Sequence, residues 1–267
     1  MNQTQSTFSL RAVALSVFAA AAAASLSTGG SARSIFGQEL LTAVLLAALS
    51  ARTSCFWTSD PPKWAANTLT LLLQVWLAVE LGQTFLTALH ICREEFSSLA
   101  LLGFLPLLLW AGWRMPAHAW NAPAQVLWWF VAGGAVMCLL GLTGQMHWAG
   151  LLAQAETPHP VFTVPVYAEY FAVPLLCGRG QHHGACLPLL TALVQTAAAL
   201  GMALLFGREY PVQELLRAWS VGAFSRLDAA LLLVWLTCAI FRMGVLCTAI
   251  RQLGQRYALL ARKEVQP

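Results

Sequence analysis

TVPVYAEYFAVPLL, residues 163–176, is apolar enough to sit in lipid, yet it carries Glu169 at its middle and Pro165 and Pro174 on either side. A carboxylate in hydrocarbon costs at least ~2.5 kcal/mol on insertion scales, so Glu169 faces protein or water rather than acyl chains. Proline removes a backbone donor and clashes with the preceding turn, which predicts an interrupted helix here. Interrupted helices with a polar centre are a device by which many secondary transporters build a ligand site at the membrane midplane. The alternative is a kinked structural helix whose Glu169 pairs with a neighbour.

The surroundings of this stretch settle the class of protein. Of 267 residues, 58% are hydrophobic and only 10% charged, where a soluble domain carries about a quarter charged. Mean hydropathy is +0.66. Long apolar runs with helical spacing, and no alternating strands, predict an all-α polytopic membrane protein rather than a barrel. The formal net charge of +4 is no nucleic-acid signal, because the basic residues lie mainly between apolar segments and at the C-terminus. Lipid is the expected surroundings and no nucleic acid is an expected partner.

About eight transmembrane helices are expected in a single domain, at 11–28, 37–50, 64–91, 97–113, 123–143, 163–178, 184–207 and 227–250. The first, alanine-rich and closed by Gly29 and Gly30, also fits a cleaved signal peptide. Between the fifth and sixth, 144–162 is rich in His and Pro, and its piece HWAGLL (147–152) suits the membrane interface. Residues 208–226 alternate polar and apolar like a surface or re-entrant helix, and 251–267 form a basic tail.

Eight spans put both ends on one side. With the N-terminus inside, Arg11, Arg52, Lys63, Arg114, Arg179, Arg251, Arg256, Arg262 and Lys263 are inner, nine residues in all. Arg33, Arg93, Arg208, Arg217 and Arg226 are the five outer ones. Nine against five places both termini in the cytoplasm.

Buried polar groups carry the functional signal. Glu80, Gln83, Thr84 and Thr87 follow an i, i+3, i+4, i+7 spacing on one face of the third segment. Such a stripe faces the bundle interior or a cavity, or else serves helix–helix hydrogen bonding. Glu80 lies too deep, and its side chain is too short, to reach the interface. Arg242, inside the eighth segment, either snorkels to the interface or pairs with Glu80 or Glu169. Cys177 and Cys186 flank His182 and His183, but their spacing fits no standard zinc pattern and describes a polar loop between two helices. There is no GxSxG, no HExxH and no glycine-rich strand-to-helix loop. Neither an enzyme nor a cofactor is implied.

The C-terminal part resembles a known family. The run YPVQELL (210–216), followed by SVGAFSRLDA (220–229) and then Trp235, looks like the endospore germination permease family. Its members are the membrane-embedded B subunits of nutrient germinant receptors, within the amino acid–polyamine–organocation superfamily. HWAGLL falls where the family has a short asparagine-leucine-leucine-proline stretch. VPVYAE (164–169) falls on its phenylalanine-proline-phenylalanine-glycine-glutamate run, so Glu169 matches the family's glutamate. The resemblance covers most of the chain in order, is specific mainly over 145–256, and before residue 120 rests on hydropathy and order alone.

That resemblance implies a retained first helix and a shortened broken-helix transporter fold, since the family has about ten spans in a five-plus-five inverted repeat. The entry to the first segment also departs, reading TFSLR (7–11) where the family has serine-proline-arginine-glutamine. In that fold the first, third, sixth and eighth helices surround the ligand. The implied function is to bind a small, amino-acid-like nutrient in the spore inner membrane of a bacterium. The cavity would be lined by a break after Ala24, by the face of Glu80, Gln83 and Thr84, by Tyr167, Glu169, Tyr170 and Phe171, and by Trp235 and Arg242. The implied partners are a second membrane subunit with a soluble N-terminal domain, the A subunit, and a lipoprotein C subunit. A proton- or ion-coupled amino-acid or polyamine permease and a ligand-free assembly subunit are the alternatives.

Overall fold

Alanine and leucine fill the apolar runs, and they keep a helix at little conformational cost. The computed structural model describes residues 7–27, 32–59, 61–97, 100–142, 164–178, 182–206 and 227–265. Among these, eight α-helices succeed one another: α1 Leu10–Ser27, α2 Ala32–Thr58, α3 Lys63–Phe96, α4 Ala100–Arg114, α5 Asn121–Leu142, α6 Glu169–Leu176, α7 Leu187–Phe206 and α8 Leu227–Val265. Short 3-10 turns, Ala117–Trp120 and His182–Cys186, lead into α5 and α7.

Five stretches are long and apolar enough to cross a membrane: Leu40–Thr58, Lys63–Glu94, Ala117–Leu140, Gly184–Gly201 and Ala230–Ala258. Large apolar side chains such as Trp64, Trp129 and Leu193 stand exposed on their outer faces. Among the described residues this is the pattern of a helical integral membrane protein. α1, α4 and α6 are shorter. α6, with eight residues, rises only about 12 Å and cannot cross a core of ~30 Å by itself.

The centre of the bundle is α8. Every residue from Phe241 to Ala249 is buried, so the helix is enclosed on all sides over that length. α3 lies along α8 more extensively than any other pair packs, and α1 and α4 also pack on it. Small residues set the close approaches. The Trp120 ring sits against bare Gly244, edge-on to Phe241 at 5.7 Å, and donates its Nε1–H to Thr248 at 3.0 Å.

α8 also terminates α4. The last carbonyls of a helix have no partner inside it. Here the Thr248 hydroxyl donates to the Gly112 carbonyl at 2.6 Å, and Arg251 donates to the carbonyls of Trp113 and Met115. The Ser9 hydroxyl caps α1 by accepting the Ala12 N–H at 3.2 Å. The Phe8 N–H meets the Leu176 carbonyl at 3.1 Å, tying the start of α1 to the end of α6.

Three expectations change. Residues 251–265 are no separate tail: α8 runs on through them, held by Arg251 on α4 and by Arg256 over the Trp57 ring at 5.3 Å. α1 is unbroken at Ala24 and continues to Ser27, because alanine keeps the helical ladder and the Ser25 hydroxyl bonds back to the Ala21 carbonyl at 2.9 Å. The sixth segment is no helical span over 163–178, since 164–168 are non-helical and the helix begins only at Glu169. Gly29 and Gly30, the 144–162 loop with its HWAGLL piece, and residues 208–226 lie outside the described residues.

A Cβ on Gly244 would fall inside the Trp120 ring, whereas one on Gly82 meets nothing within 4 Å. Overpacking of this kind costs about 1–3 kcal/mol. Gly244→Ala is therefore expected to lower the melting temperature in detergent by several degrees, with Gly82→Ala unchanged or slightly raised. Equal melting temperatures for the two variants would contradict this packing.

Candidate functional site

The stretch that begins at Pro165 ends in a buried backbone donor that no helical ladder uses. Pro165 supplies no N–H, and 165–167 run without helical hydrogen bonds before the chain turns at Ala168 into α6. Helix formation starting there leaves the Ala168 N–H free, and it donates to Glu80 Oε1 at 2.7 Å. The start of α6 thus supplies a backbone donor to a carboxylate on another helix.

Arg242 completes the arrangement. Its Nη2 donates to Glu80 Oε2 at 2.7 Å, and its Nη1 meets Glu169 Oε1 at 2.5 Å. Nη1 also reaches the Ser16 carbonyl at 2.7 Å, and Nε donates to the Thr84 hydroxyl at 3.1 Å. The Ser16 hydroxyl donates to Glu169 Oε1 at 3.0 Å. The guanidinium lies over the Tyr167 ring, 5.2 Å from its centroid, in cation–π range. Exposure is 4% for Glu80 and 1% for both Glu169 and Arg242, so Arg242 does not snorkel. It pairs with both acids, and one cation holds α1, α3, α6 and α8 together.

A cleft of about 550 Å³ opens beside this cluster. One wall is α3, with Glu80, Gln83, Thr84, Thr87 and His90. The opposite wall is the alanine face of α1, Ala19, Ala20, Ala23 and Ala24, whose small side chains leave the space. Tyr167, Pro165, Trp235 and Arg242 close it. Small-molecule sites run from ~300 to ~1,000 Å³, so the volume suits a small ligand. Trp235 is fixed by donating its Nε1–H to the Ala19 carbonyl at 3.1 Å.

The expected site residues divide into two groups. Glu80, Gln83, Thr84, Tyr167, Trp235 and Arg242 border the cleft. Glu169, Tyr170 and Phe171 do not; they stand behind its wall because α6 turns them towards the other helices. The Tyr170 hydroxyl shares a hydrogen bond with Thr191 of α7 at 2.6 Å, and its carbonyl accepts from Ser50 of α2 at 2.7 Å. Phe171 packs on Trp76 at 6.0 Å.

Three participants carry no plain sequence signal. Ser16 is one hydroxyl in an alanine-rich run, the Ala168 N–H is backbone, and His90 is an exposed residue whose Nε2 lies 3.3 Å from Glu94 Oε1. Only the i+3, i+4 extension of the Glu80 stripe hints at the last, three residues beyond Thr87. No family model, curated protein or solved structure matches the chain.

Removing one partner of a buried ion pair leaves an uncompensated charge and costs about 3–5 kcal/mol, whereas removing all partners together can be neutral. Arg242→Met is thus expected to abolish or strongly reduce recovery of monodisperse protein. Adding Glu80→Gln and Glu169→Gln to it is expected to restore most of that recovery, read by size-exclusion chromatography and thermal unfolding. A triple variant no better than Arg242→Met alone would show that the three charges do not act as one unit.

Proposed function

We propose that the chain is a membrane subunit of a spore germinant receptor and binds a small, amino-acid-like nutrient in the cleft beside Glu80. The observation that carries this is the cleft itself, walled by a buried Glu80–Arg242 pair where the first, third, sixth and eighth helices meet. That is the helix set which surrounds the ligand in the family that the sequence resembles. In this reading the fold is a broken-helix transporter fold, and α6 belongs to its interrupted helix.

The polar end of the ligand meets Glu80, Gln83 and Thr87, while its apolar part lies among the alanines of α1 and against Trp235. Glu80 and Arg242 join α3 to α8, so a ligand touching either one alters the tie between those helices. Differential contact of that sort is what shifts a conformational equilibrium. The shift would pass to the partner subunits, a second membrane subunit and a lipoprotein, in the spore inner membrane, with both termini cytoplasmic.

A second reading has its own support. Buried acids beside a cleft also mark proton and ion pathways, which favours a coupled amino-acid or polyamine permease. Full-length protein in nanodiscs, screened with the standard amino acids by thermal unfolding, is expected to be stabilised by at least one of them. Thr87→Phe, which fills the cleft, is expected to weaken that ligand at least tenfold and to blunt germination of spores carrying it, with little change in ligand-free stability. Driven accumulation in liposomes under a proton gradient would instead establish the permease. No stabilisation by any amino acid, with normal germination of Thr87→Phe spores, would leave only a ligand-free assembly subunit.

A further inference from the structure

The charges at the centre of the bundle do not balance. Glu80 and Glu169 share one guanidinium, and among the described residues Arg242 is the cation that both meet. Among the described residues, the groups packed around them add no second charge. α1 offers the Ser16 hydroxyl and carbonyl, α3 adds Thr84, and the α6 side contributes Tyr167 and Tyr170. Among the described residues, α7 reaches the cluster through Thr191 on Tyr170, and α2 through Ser50 on the Tyr170 carbonyl. His90, farther along the cleft, is engaged by Glu94. Guanidinium keeps its proton in proteins. Two ionised carboxylates on one guanidinium would therefore leave a net negative charge deep in a low-dielectric bundle, which is strongly disfavoured.

A second observation points the same way. Glu169 Oε2 is buried and has no hydrogen-bond partner. Its other oxygen takes both Arg242 and Ser16. A proton held by the acid pair supplies the missing donor and cancels the surplus charge, as in other paired carboxyls that cannot both ionise.

The donor side is nearly used up. Of the five guanidinium N–H groups, Nε serves Thr84, Nη1 serves Ser16 and Glu169, and Nη2 serves Glu80. A ligand carboxylate entering the cleft would find one N–H left on the cation. A ligand ammonium would find Glu80 on the cleft wall, with the hydroxyl and amide oxygens of Thr87 and Gln83 beside it.

We propose that the Glu80–Glu169 pair holds one exchangeable proton, and that the ammonium group of an amine ligand, arriving through the cleft at Glu80, replaces it. One R–NH₃⁺ enters and one H⁺ leaves by the same opening, so the charge of the site is unchanged. The ligand class follows: the site selects a charged amine and does not require a carboxylate. This inference rests on the nutrient-binding function and narrows it.

The test uses the full chain in nanodiscs and calorimetry with three probe sets: the standard amino acids, their decarboxylated amines, and the matching carboxylic acids that lack the amine. The amine of the best amino acid is expected to bind within about tenfold of it, and the acid at least ~30-fold more weakly. Titration in buffers of different ionisation enthalpy is expected to show one proton released per ligand. Affinity then rises with pH by about tenfold per unit while the pair is protonated, because the proton-bound form competes with the amine. Glu169→Gln is expected to remove the proton release; should that variant fail to fold, the wild-type proton count decides. An amino acid that binds with no proton release, or acids that bind where amines do not, overturns the inference and leaves the nutrient site standing. Binding by none of the three sets overturns the nutrient function itself.

Discussion

A guanidinium cannot discard its charge to suit its surroundings, and α8 carries one into the most enclosed part of the bundle. Everything around Arg242 follows from that constraint. It needs acceptors from several directions at once, and no single helix supplies them. α3 brings Glu80 and Thr84, the start of α6 brings Glu169, and α1 brings the Ser16 carbonyl. A buried ion cluster of this type is weak evidence for stability, since an apolar replacement is often no worse. Its value lies in register: helices that must meet at one guanidinium cannot slide or rotate past one another.

The interrupted sixth segment makes sense in the same terms. A continuous helix through Ala168 would keep its N–H within its own ladder. The start of α6 at Glu169 releases that donor to Glu80, so the proline that keeps 165–168 out of a helix serves a contact to another one. α1 has a comparable double effect. Ala19, Ala20, Ala23 and Ala24 leave the open cleft, while nearer its start the same helix is tightly enclosed, with Ala12, Val13 and Leu15 fully buried. Polar atoms are thereby concentrated on one wall and apolar surface on the other, which is the arrangement a small amphipathic ligand requires.

Much of the site was legible before the fold was known. Glu80, Glu169 and Arg242 stood out because a charge in an apolar run has few tolerable fates, and Gln83 and Thr84 followed from helical spacing. Ser16 and the Ala168 N–H were invisible, because a serine in an alanine-rich run and a backbone amide look the same whether or not a guanidinium lies opposite. Tyr170 and Phe171 lie next to a site residue in sequence but point elsewhere, since successive residues of a helix are about 100° apart and the phase of α6 is set by its packing. The break expected after Ala24 shows the converse: local composition gave no helix terminator there, and α1 goes on to Ser27.

By itself the sequence determined the class of molecule, a helical membrane protein with three deep charges, because hydrocarbon solvent penalises polar groups one residue at a time and that penalty is written in composition. Which acid pairs with the arginine, that both do, and that a cleft remains beside them were decided by tertiary structure alone. Those facts depend on the relative phase and approach of four helices far apart in the chain. No local property of any one of them records it.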